Sequence, residues 1–173
     1  MIISTKNNII INKIKYKYFL FNNYDLINQI KNNYLLIKSF QNVMIEHRNN
    51  PNFKIDTLIK EEEKIDPEKV NYFIIFKDNN LVSCVRLIYK NNSKSCYLNM
   101  IHTNKNYRNQ GICKRTLRKL IHLTNNKFNK YELEVEENNI HAIKCYEKVG
   151  FMMDKKYKYN NIKVNLMIYN LTK

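Results

Sequence analysis

The sequence predicts an α/β (α+β) fold with about seven strands, and three observations lead to it. Runs of β-branched and aromatic residues with strand periodicity alternate with segments whose apolar residues recur every three or four positions. One polar loop, Tyr107-Arg108-Asn109-Gln110-Gly111-Ile112-Cys113, leads from such a strand straight into a basic amphipathic helix. A chain of 173 residues that is 44% hydrophobic is long enough for one domain with a real core and too short for two comfortable ones. We therefore read residues 1–173 as a single domain without internal repeats.

In chain order, residues 14–21 alternate and carry aromatics, the pattern of a first strand. From Tyr24 to His47 the spacing turns helical through Ile27, Ile30, Tyr34 and Ile37, then Leu36, Phe40 and Val43, which predicts one long helix or two broken near Asn32-Asn33. His47 ends that stripe and is expected to pack or face solvent. Residues 51–69 hold both prolines and the run Glu61-Glu62-Glu63, so a short helix with a solvated acidic face is expected within a long connection. Val70 to Phe76 and Leu81 to Tyr89 read as strands joined by a hairpin turn at Asp78-Asn79-Asn80. Ser95 to Thr103 is the next strand, with Leu98, Met100 and His102 on one face and Tyr97, Asn99, Ile101 and Thr103 on the other. Past the loop, Ile112, Thr116, Leu117, Leu120 and Thr124 mark the buried stripe of a helix whose remaining surface carries Lys114, Arg115, Arg118 and Lys119. Lys130 to Glu136 is a strand. A helix over about Ile140 to Val149 follows, with Asn139 as N-cap and Gly150-Phe151 as the C-terminal cap. Phe151 to Tyr159 and Ile162 to Leu171 are the last two strands, linked at Asn160-Asn161.

The loop at 107–113 is built to hold an anion. A helix start offers N–H groups without intrahelical partners and the positive end of the macrodipole, and Gly111 lets a phosphate approach the backbone with no Cβ in the way. The net charge of +15 admits nucleic acid, an anionic membrane or an acidic cofactor as partner. Lys, Asn and Ile are abundant throughout, in turns as elsewhere, and the aromatics are scattered rather than interleaved with basic residues as stacking platforms require. We therefore discount nucleic-acid binding. The four cysteines, Cys84, Cys96, Cys113 and Cys145, include no Cys-x-x-Cys pair and are spaced too widely for a zinc knuckle, so no metal and free thiols are expected. The N-terminal apolar patch is too short for a signal h-region, and no run approaches the ~18 residues of a membrane span. A cytoplasmic, or at least intracellular, protein with no membrane partner is expected.

A second motif follows at the distance one helix and one turn require: Leu-Glu-Val-Glu-Glu-Asn-Asn-Ile-His-Ala-Ile-Lys-Cys-Tyr-Glu-Lys-Val-Gly-Phe over residues 133–151. Together the two motifs resemble the acetyl-CoA-binding and acceptor-site motifs of the GCN5-related N-acetyltransferase (GNAT) superfamily, over roughly residues 70–170, with the cofactor motifs concentrated in 95–151. The resemblance implies the acyl-CoA acyltransferase fold, a mixed twisted sheet flanked by helices on both faces, and direct transfer of an acetyl group from acetyl-CoA to an amine. It further implies that Arg108 or its amide, Asn109, Gly111, Ile112 and Cys113 contact the pyrophosphate. Ile101 and Thr103 would hold the pantetheine arm through their backbone, as an added strand would be held. Asn139 resembles the residue that bonds the pantetheine amide, and residues 51–69 would border the acceptor. The family usually has Gly or Ala where this chain has Cys113. A thiol there has a lowered pKa at the helix start, so a nucleophilic role is conceivable, although the direct transfer that the resemblance implies speaks against it.

Ala142 and Tyr146, four residues apart, share one helix face, the small side chain allowing close approach and the phenol presenting its O–H. By resemblance Tyr146 is the acid that protonates the departing thiolate. Glu132, Glu134 and Glu136 alternate with Tyr131, Leu133 and Val135, so the three carboxylates form a row that attracts a cationic amine. Leu133-Glu134-Val135 resembles the branch that acetylates protein N-termini, that of the ribosomal-protein alanine acetyltransferases, where this Glu serves as base. A solvated strand face is the competing reading of the row, and Tyr97 or solvent the competing base. His102 is expected to be structural, facing away from Tyr97 and Asn99. The acceptor is left open among a peptide N-terminus, Lys, a polyamine and a small metabolite, as is the oligomeric state. A non-catalytic acyl-CoA-binding module and a basic nucleic-acid-binding protein are the alternative readings.

Overall fold

A computed structural model of the chain describes residues 7–11, 14–78, 80–89 and 93–171. The hairpin residue Asn79 and the turn residues Asn91 and Asn92 lie outside them, as does most of the N-terminal apolar patch. The elements are β1 (Asn7–Ile11), β2 (Ile14–Asn22), α1 (Asn23–Lys31), α2 (Tyr34–Arg48), α3 (Ile55–Glu62), β3 (Val70–Lys77), β4 (Asn80–Tyr89), β5 (Ser95–Thr103), α4 (Ile112–Thr124), β6 (Lys130–Glu136), α5 (Ile140–Val149), β7 (Met152–Tyr159) and β8 (Ile162–Asn170). The eight strands form one sheet in the order β1-β2-β3-β4-β5-β6-β8-β7. Among the described residues only β5 and β6 pair in parallel. The sheet is the expected mixed one with a strand added at its edge, β1, which the short N-terminal patch does not announce.

Local chemistry sets the boundaries. Asn22, Asn33 and Asn139 each accept an N–H of the first helical turn with the side-chain oxygen and so start α1, α2 and α5. The break at Asn32-Asn33 divides the first helical stretch in two, as the spacing allowed. Gly150 closes α5 at φ 117°, with its N–H on the Tyr146 and Glu147 carbonyls. Asn160 and Asn161, at φ 47° and 64°, make the tight turn between β7 and β8.

Alternate residues of the central strands feed two cores. Tyr72, Ile74 and Cys84 pack with Leu26, Ile30, Phe40 and Met44 under α1 and α2, while Phe73, Ile75, Val85 and Leu98 pack with Leu117, Leu120 and Tyr146 under α4 and α5. Helices thus cover both faces of β2–β5, burial worth ~1.5–3 kcal/mol for each large apolar side chain. Among the described residues the core under α1–α3 includes no residue of β6–β8, and β7 is exposed along most of its length. Among the described residues no helix is long and apolar enough to cross a membrane.

The acidic run 61–63 is not a uniformly solvated face. Successive helical residues are ~100° apart. Glu61 and Glu63 point outward to Arg48 and Lys31, whereas Glu62 is 6% exposed and meets Arg86 of β4 at 3.0 Å. Asn23, itself buried, donates to the Glu62 and Ile65 carbonyls at 2.9 Å and holds the end of α3 against the sheet.

Candidate active site

The site is organised by a gap in the sheet. β5 pairs with β6 only from Ser95↔Lys130 to Leu98↔Leu133, although both strands continue, to Thr103 and Glu136. β6 stays straight because β8 ladders it along its whole length. β5 turns away because of a bulge: Arg86 is opposite Asn99 and Cys84 opposite His102, so Met100 and Ile101 together face Val85. Met100 sits at φ 49°, the left-handed region that side chains rarely adopt. From Asn99 onward the β5 backbone, including Ile101 and Thr103, therefore has no strand partner on its β6 side. The same extra residue moves His102 to the face of Tyr97 and Asn99, against the strict alternation expected of the strand. His102 packs there beside Glu46 of α2, Nε2 to Oε2 3.4 Å. Burial, with Arg108 and His47 adding, lowers its pKa to about 4, so the ring is neutral.

The anion loop leaves β5 through a short 3-10 turn at Lys105–Tyr107 and enters α4 at Gly111. Asn109 and Gly111 both have positive φ, 61° and 73°, which curls the backbone into a concave turn. Gly111 caps α4 without any side-chain bond, so the first-turn N–H groups of Ile112, Cys113 and Lys114 have no intrahelical acceptor. A Cβ added at Gly111 meets no protein atom within 4 Å, so the space in front of the turn is open. Arg108 stays about half exposed but folds back over the end of β5 and α2. Its Nε donates to the Thr103 carbonyl at 3.0 Å, its Nη2 to Glu46 at 2.9 Å, and its amide N–H to Lys105. It braces the loop in this conformation.

Tyr146, on α5, belongs to the core cluster that includes Leu98 and Leu133, the last β5–β6 pair before the strands part. It is 6% exposed, its ring lies 6.2 Å from that of Phe151, and burial pushes the phenol up to about 12, so it keeps its proton at neutral pH. Ala142 precedes it by one turn, and Asn139 spends its side-chain oxygen on the Ala142 N–H at 3.2 Å, leaving its amide NH2 as donor. The expectation of four free thiols is corrected here. Cys113 in the first turn of α4 is joined by a disulfide to Cys145, the neighbour of Tyr146 on α5, while Cys84 and Cys96 are free and buried. The bond ties the anion loop to the helix carrying the phenol and removes Cys113 as a nucleophile. Its partner lies 32 residues away, a pairing that only the tertiary fold brings about.

On the opposite face stand the carboxylates of β6. Glu132 is buried and 2.8 Å from Lys130, so the acidic row is not uniform. Glu134 and Glu136 are exposed. Tyr97 and Tyr157 flank Glu134, whose charge adds to burial in raising both phenols, Tyr157 to about 12. Tyr157 lies on β7, and no sequence signal marked it.

Beside the gap, under α2 and α3, is a cavity of about 330 Å3 bounded by Met44, His47, Arg48, Leu58, Glu61, Glu62, Ile65, Arg86, Asn99 and Met100. Asn99 is the first β5 residue beyond the last β5–β6 pair, so the cavity opens where the strands part. His47, expected to pack or face solvent, lines its wall, its pKa lowered by burial and by Arg48. Among the described residues no group of His, Cys, Asp and Glu is placed to hold a metal ion.

Comparison with known proteins shows the family of the chain and its fold. The model of the acetyltransferase (GNAT) family matches residues 36–151. No curated protein matches the chain. Among solved structures, a probable acetyltransferase from Staphylococcus epidermidis superposes with a TM-score of 0.66 at 21% identity, covering 91% of this chain and 99% of that one. RimL, a ribosomal L7/L12 α-N-protein acetyltransferase in complex with coenzyme A, gives 0.70 at 12% identity over 95% and 98%. The spermidine N-acetyltransferase of Vibrio cholerae, in complex with CoA and spermine, gives 0.63 at 17% identity over 90% and 95%.

Proposed function

Because the chain belongs to the GNAT acetyltransferase family and is an acyltransferase, we propose that it moves the acetyl group of acetyl-CoA directly to a primary amine. The observation that carries this reading is the gap between β5 and β6, with an uncapped helix start beside it, a protonated phenol on one face and a carboxylate on the other. The residues fit the cofactor: the space in front of Gly111 is open, and the β5 edge from Asn99 lacks a strand partner. Acetyl-CoA supplies the activated acyl group as its thioester.

In this reading the N–H groups of Ile112 and Cys113, with Asn109 and Gly111, hold the pyrophosphate, stabilised by the α4 dipole. The Ile101 and Thr103 backbone runs along the pantetheine arm, Asn139 offers its amide NH2, and Ala142 leaves room for close approach. Tyr146 Oη gives its proton to the departing sulfur. Glu134 takes the proton from the amine, directly or through water, with Tyr97 beside it. A family base must work against an ammonium of pKa about 7.7–8.0 for an α-amine or about 10.4 for Lys. Leu133-Glu134-Val135 favours the branch that acts on protein N-termini, and the shared fold of RimL is compatible with it.

The test is acetyl-CoA-dependent thiol release with α-amines, Lys side chains and polyamines, in the wild type and in Glu134→Gln. The variant is expected to lose rate and to shift its rise with pH toward the pKa of the amine itself. If no amine accelerates thiol release above hydrolysis, the transferase reading fails. A wild-type pH profile in Glu134→Gln would transfer the base role to Tyr97 or solvent.

A further inference from the structure

Arg86 and Asn99 are directly opposite each other on β4 and β5, so their Cβ atoms are about 4.5–5.5 Å apart, and both side chains line the cavity where the strands part. Each keeps a buried polar atom without a partner: Arg86 Nε–H, which only donates, and Asn99 Oδ1, which only accepts. Tyr72, a fully buried residue opposite Arg86 on β3, sets its hydroxyl beside the Glu62–Arg86 pair, and burial with the Glu62 charge raises its pKa. Buried polar atoms are costly to leave unpaired, and here a lone donor and a lone acceptor belong to two residues that line one cavity beside the place where β5 and β6 part. The cavity offers little uncommitted negative charge, because Glu62 is held by Arg86 and Glu61 by Arg48.

We propose that the acceptor is an α-amine adjoining a carbonyl, the amino end of an amino acid or a peptide, and that Arg86 and Asn99 select it. An amine N–H donates to Asn99 Oδ1 while Arg86 Nε–H donates to the neighbouring carbonyl oxygen. In an α-aminoacyl group these atoms are separated by two carbons, which suits two readers on adjacent strands. A polyamine or a Lys side chain presents only N–H donors near its amine. It would satisfy Asn99, leave Arg86 Nε unpaired and set an ammonium beside a guanidinium. Met44, Leu58, Ile65 and Met100 give the wall an apolar part, beside His47 and the Arg48–Glu61 and Arg86–Glu62 ion pairs, and an apolar first side chain of the acceptor would pack there. The inference rests on the transferase reading and adds the chemistry of the acceptor to it.

The experiment compares kcat/KM, referred to the unprotonated amine because an adjacent carbonyl also lowers the amine pKa, for pairs matched in side chain: leucinamide with isopentylamine, and methioninamide with 3-(methylthio)propylamine. Free leucine and spermidine are further arms. A site built to bond a polar group rejects the analogue lacking it strongly, so the amides should exceed the plain amines by about 10²-fold or more. Free leucine matching leucinamide identifies an amino acid as the source; leucinamide alone identifies a peptide end. Arg86→Lys keeps a cation for Glu62 but moves the donor, and should bring the amide-to-amine ratio toward one. Asn99→Leu removes the acceptor at similar volume and should lower kcat/KM for every amine. Equal turnover with and without the carbonyl, or spermidine as the best substrate, overturns this inference and leaves the transferase reading standing. An unchanged ratio in a folded Arg86→Lys protein overturns the role of Arg86. Turnover of no amine at all overturns both.

Discussion

Replacing Tyr146 by Phe removes one oxygen atom and nothing else. The ring stays in the core beside Phe151, 6.2 Å between centroids, so stability and acetyl-CoA affinity should hardly move. The chemistry should suffer more: loss of a positioned general acid lowers kcat by about 10²-fold or more, roughly 2.7 kcal/mol of barrier. The pH dependence follows from burial. An acid works while protonated and is lost as pH rises through its pKa. With the phenol at about 12, only about 1% is ionised at pH 10, against about half for an unperturbed phenol. The kcat of the wild type should therefore show no descending limb between pH 6 and 10, and that of Tyr146→Phe should be low throughout. Thiol-release kinetics across this range, with calorimetric Kd values for acetyl-CoA, separate the outcomes. A fully active Tyr146→Phe enzyme refutes the assignment of the acid, and a descending limb near pH 10 that vanishes in the variant refutes the inference from burial.

Three further outcomes are expected. Gly111→Ala places a Cβ in space free of protein atoms at φ 73°, so the fold should lose only about 1–2 kcal/mol while acetyl-CoA affinity falls at least about tenfold; an unchanged calorimetric Kd would sink the cofactor site. The Cys113–Cys145 disulfide closes a 32-residue separation, worth about 3.7 kcal/mol by loop entropy, so reductant should lower the denaturation midpoint of the wild type and leave that of Cys145→Ser alone; equal midpoints with and without reductant would contradict the bond. Because His102 has a folded pKa of about 4 against 6.5 unfolded, the unfolded chain binds more protons in that window, and stability should fall by on the order of 3 kcal/mol as pH drops from 6.5 to 4. Urea titrations should show this slope flattened in a folded His102→Gln protein, and an equally steep slope there would assign it to other groups.

The sequence was most informative where the determining chemistry is local. Asn139 starts a helix with its own side chain, Gly150 stops one, Asn160-Asn161 turns a hairpin, and the break falls at Asn32-Asn33, each within four residues of what it controls; the caps Asn22 and Asn33 act at the same range, though neither is read as a cap from sequence. Gly111 belongs with these, since a helix start without a side-chain cap is visible as a glycine before an apolar stripe. Features set by distant partners were not visible. Glu62 differs from Glu61 and Glu63 only in pointing at Arg86, 24 residues on, and Cys113 meets Cys145 only because α4 and α5 lie side by side. His102 was assigned to the wrong face because strand parity holds only until a residue is inserted. Neither Gly nor Pro marks the insertion, and the left-handed residue is Met100.

That bulge is also what makes the gap a standing feature of the protein rather than something a ligand must open. A non-glycine residue in the left-handed region costs about 1–2 kcal/mol and persists only if its surroundings hold it. Here side chains catch the carbonyls of the bent segment in turn: Cys84 Sγ reaches Met100 O at 3.7 Å, Ser83 Oγ donates to His102 O at 2.8 Å, and Arg108 Nε to Thr103 O at 3.0 Å. Ser83 is held in its turn, since Thr116 of α4 reaches its hydroxyl at 3.4 Å, and Glu46 of α2 holds Arg108. Helices on both faces thus fix the bent edge of β5 while β8 keeps β6 straight. The cost of parting two strands is met in folding, so in the proposed function a pantetheine arm entering the gap would find a backbone edge already oriented and would lose little affinity to reorganisation.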